Sequence, residues 1–379
     1  MRRDGTLFNA STVHIDHITT ALNCLIPFGI KEEVIIFIDN DGLSFARELN
    51  HVMRIQLFLA RELFMSFSYD NGNDNEEPTK VCVKISHLLD SFNVANRNID
   101  DVVECTMSYD GYGSPFVLIF EDSTVSERVE YSTYLVQGST NGGLEIDRDQ
   151  VIFECIIKGD VLYAAMNELK ETGCKECYLF AKTNDNGDHV FALISDSQLG
   201  LSKIRLPNSR SILEKLEIYD TDYETVIHGR LVIASFDFNL FDKMRMSIRI
   251  ASKVLFKMDA HGLLSVNILS QTDDVLVSET RPTINRARSL DGPRQMQLPR
   301  DYPGIVVEVC LIEREQFDDS AKRNIEILMD SGEREKAASS GIGAGSNSRG
   351  NIPTFHREEI DLQNGRRASP FKNDLPLFF

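Results

Sequence analysis

Two stretches decide the fold: Val34-Ile35-Ile36-Phe37-Ile38-Asp39-Asn40-Asp41-Gly42-Leu43-Ser44-Phe45, and Cys177-Tyr178-Leu179-Phe180-Ala181-Lys182-Thr183-Asn184-Asp185-Asn186-Gly187-Asp188-His189-Val190-Phe191-Ala192-Leu193-Ile194. Each reads as two apolar strands joined by an acidic turn that closes on glycine, a hairpin pattern. An apolar-periodic helix precedes each one, Val13–Leu25 before the first and Asp160–Thr172 before the second. The arrangement recurs further along each half. A helix at Lys84–Ala95 precedes strands flanking Asp110-Gly111-Tyr112-Gly113, and a helix at Phe238–Ser252 precedes strands flanking Asp259-Ala260-His261-Gly262. Gly42 and Gly187 lie 145 positions apart, Asp110 and Asp259 149. Two matched offsets point to a duplicated domain in which the order of elements, rather than residue identity, is repeated.

Length and composition fit that reading. The 379 residues hold two ordinary domains and a tail, and 42% hydrophobic content supports real cores. Nothing approaches the ~18 unbroken apolar residues of a membrane span. The start, Met1-Arg2-Arg3-Asp4-Gly5, lacks the apolar stretch of a secretory signal, so an intracellular chain with no membrane partner is expected. The seven cysteines are scattered, and several alternate with apolar residues as small buried hydrophobes do. The one spaced pair, Cys174 and Cys177, has no second pair to complete a zinc site. It also lies between a helix and the following strand, not at the strand-to-helix turn of thioredoxin-like chemistry. No metal and no cofactor are expected.

The net charge of −18 argues against binding nucleic acid through a broad basic surface. From Arg314 onward the chain carries ten Lys/Arg and eleven Asp/Glu, which leaves −17 on residues 1–313. The expected architecture is α+β, with two duplicated domains, each carrying two helices packed on antiparallel sheet. Domain 1 takes residues 1–136, a glycine-rich connector 137–150, domain 2 residues 151–313, and a largely disordered tail 314–379, with one short helix possible in Gln316–Met329. On the helix Phe238–Ser252, Leu240, Phe241, Met244 and Ile248 share one face. Arg245 and Arg249, with Lys253 just beyond, fall opposite them and make a basic ridge on an acidic protein.

The residues then meet a known family. Ser11-Thr12-Val13-His14-Ile15-Asp16-His17-Ile18-Thr19-Thr20-Ala21-Leu22, Phe37-Ile38-Asp39 with Asp41-Gly42-Leu43-Ser44-Phe45, and Ser108-Tyr109-Asp110-Gly111-Tyr112-Gly113-Ser114-Pro115-Phe116 carry the first-half match. Gly173-Cys174-Lys175-Glu176-Cys177-Tyr178, Ile268-Leu269-Ser270-Gln271-Thr272-Asp273-Asp274 and Leu298-Pro299-Arg300-Asp301-Tyr302-Pro303-Gly304-Ile305-Val306 carry the second. On these segments the chain resembles the sliding clamps, PCNA being the familiar one. Within them it resembles the "one" subunit of the nine-one-one DNA-damage checkpoint clamp, fungal members most closely. The resemblance implies a subunit of a heterotrimeric ring around double-stranded DNA. A replication factor C-type loader places that ring at primer-template junctions, where it recruits checkpoint mediators that activate the damage kinase, in the nucleus. A ring held by topology needs only modest positive charge in its channel, so an acidic body is compatible with it.

Carried over residue by residue, the four helices match the channel-lining helices of the family. Arg245, Arg249 and Lys253 are then the foremost phosphate-contact candidates, with Lys84, His87 and His17 on the first two helices behind them. At the other end, Lys372, Leu375, Phe378 and Phe379 have the spacing of the peptide that clamp partners insert into a clamp's hydrophobic pocket. Two other readings compete with this one. A 3′–5′ exonuclease would need carboxylates converging as at Asp39 and Asp41, but a polar turn fits those residues better. A homotrimeric replicative clamp would share the fold.

Overall fold

In the computed structural model of the chain, residues 6–70, 77–95, 102–134, 144–184, 189–197, 200–269, 304–314, 320–329 and 357–360 are described. The first half runs β1 (Phe8–Thr12), α1 (Ile15–Leu22), β2 (Glu33–Ile38), β3 (Gly42–Leu49), β4 (Met53–Ala60), β5 (Ser66–Tyr69), β6 (Thr79–Lys84), α2 (Ile85–Ala95), β7 (Glu104–Tyr109), β8 (Phe116–Glu121) and β9 (Ser126–Tyr131). The second half replays the order. It runs β10 (Val151–Lys158), α3 (Gly159–Glu171), β11 (Glu176–Lys182), β12 (Val190–Ser197), β13 (Gly200–Arg205), β14 (Leu213–Ile218), β15 (Leu231–Asp237), α4 (Phe238–Phe241), α5 (Arg245–Arg249), β16 (Lys253–Asp259), β17 (Leu263–Leu269) and β18 (Ile305–Ile312). The tail adds α6 (residues 320–329) and β19 (Arg357–Ile360).

Contacts gather these elements into two units, one of Met1–Ile146, Lys243–Phe256 and Leu263–Leu311, the other of Asp147–Asp242, Lys257–Gly262 and Ile312–Phe379. In the first unit one sheet has the order β5-β1-β7-β8-β9. A second has the order β16-β17-β18-β4-β3-β2-β6, with β16 taking part through Lys253–Phe256. In the second unit the sheet β15-β11-β12-β13-β19 repeats the order β6-β2-β3-β4 and adds the tail strand. β14-β10-β16 likewise repeats β5-β1-β7. The duplication is therefore present in the pairing and not only in the sequence of elements.

Period-two alternation sets the core. Val34, Ile36 and Ile38 of β2 are buried, as are Met53, Ile55, Leu57 and Leu59 of β4, while Arg54 and Gln56 are half-exposed. Sheet β15-β11-β12-β13 is apolar on both faces. Cys177, Leu179 and Ala181 bury on one side; Tyr178 and Phe180 on the other join Val190, Ala192, Ile194 and Leu201. α6 covers this second face with Ile325, Leu328 and Met329. Lys203 is itself buried there and donates from Nζ to the Leu328 carbonyl at 2.8 Å, capping the end of α6. The short helix expected within Gln316–Met329 thus exists and has a packing role.

Several boundaries differ from the sequence expectation. Lys84 does not open the second helix but closes β6 opposite Glu33, and the Ile85 N–H still donates to the Glu32 carbonyl. The helix expected over Val13–Leu25 stops at Leu22 and tightens into a 3-10 turn, Asn23–Phe28, that contains Pro27. The helix expected over Phe238–Ser252 is interrupted by a 3-10 turn at Asp242–Met244 and ends at Arg249. Gly173 adopts the left-handed conformation (φ 69°), its N–H donating to the Lys170 carbonyl, as a helix C-cap requires. In the connector, Leu144 is buried against Leu263 and Cys310. Further on, the Asp147 N–H donates to Asp259 Oδ2 at 3.1 Å.

A Cβ on Gly42 (φ 155°) would stand 2.1 Å from the Leu59 carbonyl oxygen of the paired strand. Gly42→Ala is expected to cost ~2 kcal/mol or more, read as a lower denaturant midpoint. Burial raises the Glu313 carboxyl above 4.5, against the Ser235 N–H bond and the Lys322 charge that lower it. A carboxyl that binds its proton more tightly in the folded state costs stability at neutral pH, and that cost disappears as pH falls through its folded value. Glu313→Gln is therefore expected to stabilise the protein at pH 7, with the gain vanishing below pH 4.5 in a pH series of unfolding curves.

Candidate nucleic-acid interface

Among the described α-helices of the first unit α5 is the one that carries Lys or Arg, and local chemistry places Arg245 and Arg249 there, while in the second unit α6 exposes Lys322 and Arg323. Asp237 starts α4 by accepting the Asn239 N–H at 2.8 Å. Phe238, Phe241, Met244 and Ile248 then bury one stripe, with Leu240 half-buried beside them. The 3-10 turn at Asp242–Met244 brings Lys243 over the turn that follows α1, where its Nζ donates to the Pro27 carbonyl at 2.7 Å. α5 packs on that same turn, and α1 packs on α2, so all three helices belong to one layer of the first unit.

With the apolar stripe inward, Arg249 is exposed and Arg245 half-buried. Lys253 is exposed as the first residue of β16, three positions past the α5 cap. The remaining candidates sit apart from this ridge. His17 is half-buried on α1 with its ring 5.9 Å from that of His14, His87 is exposed on α2, and Lys84 is a half-buried strand residue. Asp16 on α1 and Asp90 on α2 are exposed as well, so those two helices present mixed charge. In the second unit α3 exposes Asp160, Lys170 and Glu171, with Lys170 Nζ 3.2 Å from Asp242 Oδ2. Lys170 is a cation that the sequence reading did not single out, although its place in the last helical turn was visible there. The C-terminal residues Lys372, Leu375, Phe378 and Phe379 lie outside the described residues.

The acidic turn of the exonuclease reading is occupied by its own backbone. Asp39 Oδ1 accepts the N–H groups of Asp41 (2.9 Å) and Gly42 (3.0 Å), an Asx turn. Among the described residues, no group of three His, Cys, Asp or Glu side chains stands close enough to hold a metal ion. Cys174 and Cys177 are buried, and desolvation pushes the Cys174 thiol up to about 11 and that of Cys177 well above its ordinary value. Thiols held protonated in this way are poor nucleophiles and poor metal ligands.

Arg249 makes no part of the apolar stripe, whereas Met244 is fully buried in it. Arg249→Gln should shift the unfolding free energy by under ~0.5 kcal/mol. Met244→Ala should cost ~2–5 kcal/mol in the same denaturation experiment. Equal losses would place the arginine in the packing and not on a working surface.

Comparison with known proteins adds to this geometry. The family described as "Repair protein Rad1/Rec1/Rad17" matches residues 7–270. The chain is 63% identical over 327 residues to the DNA damage checkpoint control protein RAD17 of Saccharomyces cerevisiae, covering 86% of this chain and 80% of that protein. It is 47% identical to the protein of the same name from Eremothecium gossypii, over the whole of both chains. Among solved structures, the proliferating cellular nuclear antigen of Entamoeba histolytica aligns with a TM-score of 0.57 at 11% identity, covering 82% of this chain and all of that one. A chain of the PCNA2–PCNA3 complex of Sulfolobus tokodaii aligns with a TM-score of 0.55 at 12% identity, over 81% of this chain and all of that one. At such identities these two alignments speak to the fold, which is that of the PCNA-like sliding clamps.

Proposed function

This chain belongs to the Rad1/Rec1/Rad17 repair-protein family, and from that membership we propose that it is the "one" subunit of a heterotrimeric checkpoint clamp acting on nuclear DNA in the damage and meiotic checkpoints. Its partners on this reading are two paralogous clamp subunits, a replication factor C-type loader, double-stranded DNA at primer-template junctions, and mediators that lead to the damage kinase. The observation that carries the reading is the 63% identity, over 86% of the chain, to a protein named for damage-checkpoint control. The physical support is a duplicated clamp fold in whose first unit α5 carries the helix arginines, Arg249 exposed and Arg245 half-buried.

The division of labour follows from electrostatics. An acidic body repels DNA from its outer surface, and a small basic ridge on a helix layer meets phosphates only where DNA is already enclosed. Arg245, Arg249 and Lys253 are the residues assigned to those phosphate contacts, with His17, Lys84 and His87 at the margin. The clamp domains are taken as residues 1–136 and 151–313, joined by 137–150, and the chain acts as a scaffold instead of an enzyme. Docking of Lys372, Leu375, Phe378 and Phe379 into a clamp pocket belongs to the same reading.

Charge reversal is the test. Arg245→Glu with Arg249→Glu should reduce loader-dependent retention on primed DNA by about tenfold at moderate salt, while the three-subunit complex keeps its mass on a sizing column. Retention unchanged by the double reversal would remove the ridge from DNA contact. A stable trimer formed by this chain alone would favour a replicative clamp instead.

A further inference from the structure

The internal repeat pairs strands by position: β4 with β13, and β18 with β9. In the first unit β4 has β3 on one side and β18 on the other, the latter antiparallel through seven register partners from Ile305↔Leu59 to Leu311↔Met53. In the second unit β13 has β12 on one side and β19 on the other, antiparallel through four partners from Leu201↔Ile360 to Ile204↔Arg357. The tail strand therefore stands on β13 as β18 stands on β4, although it comes from outside the repeat. β9, the counterpart of β18, ends its sheet with β8 as its neighbour among the described strands.

We propose that β19 is a placeholder: the tail segment Arg357–Ile360 caps the β13 edge of the unassembled subunit and must leave before that edge accepts the β9-equivalent strand of a neighbouring clamp subunit. The proposal rests on the heterotrimer reading above and adds to it an order of events and a residue range. An uncovered edge exposes a row of N–H and C=O groups that pairs with any available strand. A four-residue tail strand covers that row without making it permanent, since the seven-partner ladder on β4 shows how much more pairing the equivalent edge of the other repeat supports. The 27 residues between the end of α6 and the start of β19 tether the cap. Because cap and edge belong to one chain their pairing is intramolecular, which holds a short ladder closed against dilute strangers but not against a longer matching strand. The partner recognised at this edge is then another clamp subunit, read by main-chain hydrogen bonds in the manner of strand addition.

The test uses the full chain with Glu358→Pro and Glu359→Pro together. Adjacent strand residues turn their N–H groups to opposite sides, so one of the two prolines must delete a donor to β13. Amide hydrogen exchange of the isolated subunit is read first. The variant should lose protection at Leu201–Arg205 by about tenfold while β11 and β12 keep theirs, which shows that the sheet remains folded. Mixing with the two other clamp subunits is read second, and the variant should assemble at least about threefold faster to the same final complex. Equal exchange at β13 in both proteins, or exposed β13 amides without faster assembly, overturns the placeholder while leaving the heterotrimer in place. Failure of both proteins to assemble at all overturns the heterotrimer reading, and the placeholder with it.

Discussion

The fold hangs on one ladder, β18 against β4. Met53, Ile55, Leu57 and Leu59 on one strand, and Ile305, Val307, Val309 and Leu311 on the other, are all at most 3% exposed. Their partners Leu59 and Ile305 are 246 positions apart. Closing a loop of that length costs ~5 kcal/mol beyond a constant, because the cost rises only with the logarithm of length. Burying each of these side chains returns ~1.5–3 kcal/mol, so the eight together outweigh closure even after discounting a compact unfolded state. Without this ladder the last strand of the second repeat would leave the edge of β4 open, and the first unit would lose β18 from its larger sheet.

That ladder also explains which parts of the structure were legible in the sequence. Hairpins and helices with local signals were readable: the Asp39 turn, the Gly173 cap, and the apolar stripes of α2 and α5 are each set by residues within a few positions of one another. Lys84 was misplaced because nothing local separates the last residue of a strand from the first of a helix. Its position is decided by Glu33, 51 residues earlier in the chain. The break at Asp242–Met244 was hidden for the same reason, since the Lys243 contact that accompanies it is with Pro27, 216 positions away. β19 was invisible because Arg357-Glu358-Glu359-Ile360 carries no alternation, and only the waiting edge of β13 makes a strand of it.

The site was less legible than the fold. Periodicity placed Arg245 and Arg249 opposite the buried stripe, and Arg249 is indeed exposed while Arg245 is half-covered. It gave no warning that Lys243 would spend its charge on a backbone carbonyl or that Lys170 would face Asp242. Charge placement on a surface is decided by tertiary neighbours, so an overall count of −18 says little about where the few useful cations gather. The covered second face of sheet β15-β11-β12-β13 makes a similar point. Its apolar residues read as core, but their partner is a tail helix that lies beyond the repeat.

The central claim is that this chain helps to enclose DNA and does not merely adhere to it. The direct measurement is retention of the loaded complex on circular against linearised DNA after a high-salt wash. Enclosure predicts that the complex survives the wash on closed circles and is released once a single cut opens them. Equal loss from both forms, following salt alone, would mean binding by surface charge and would contradict the account.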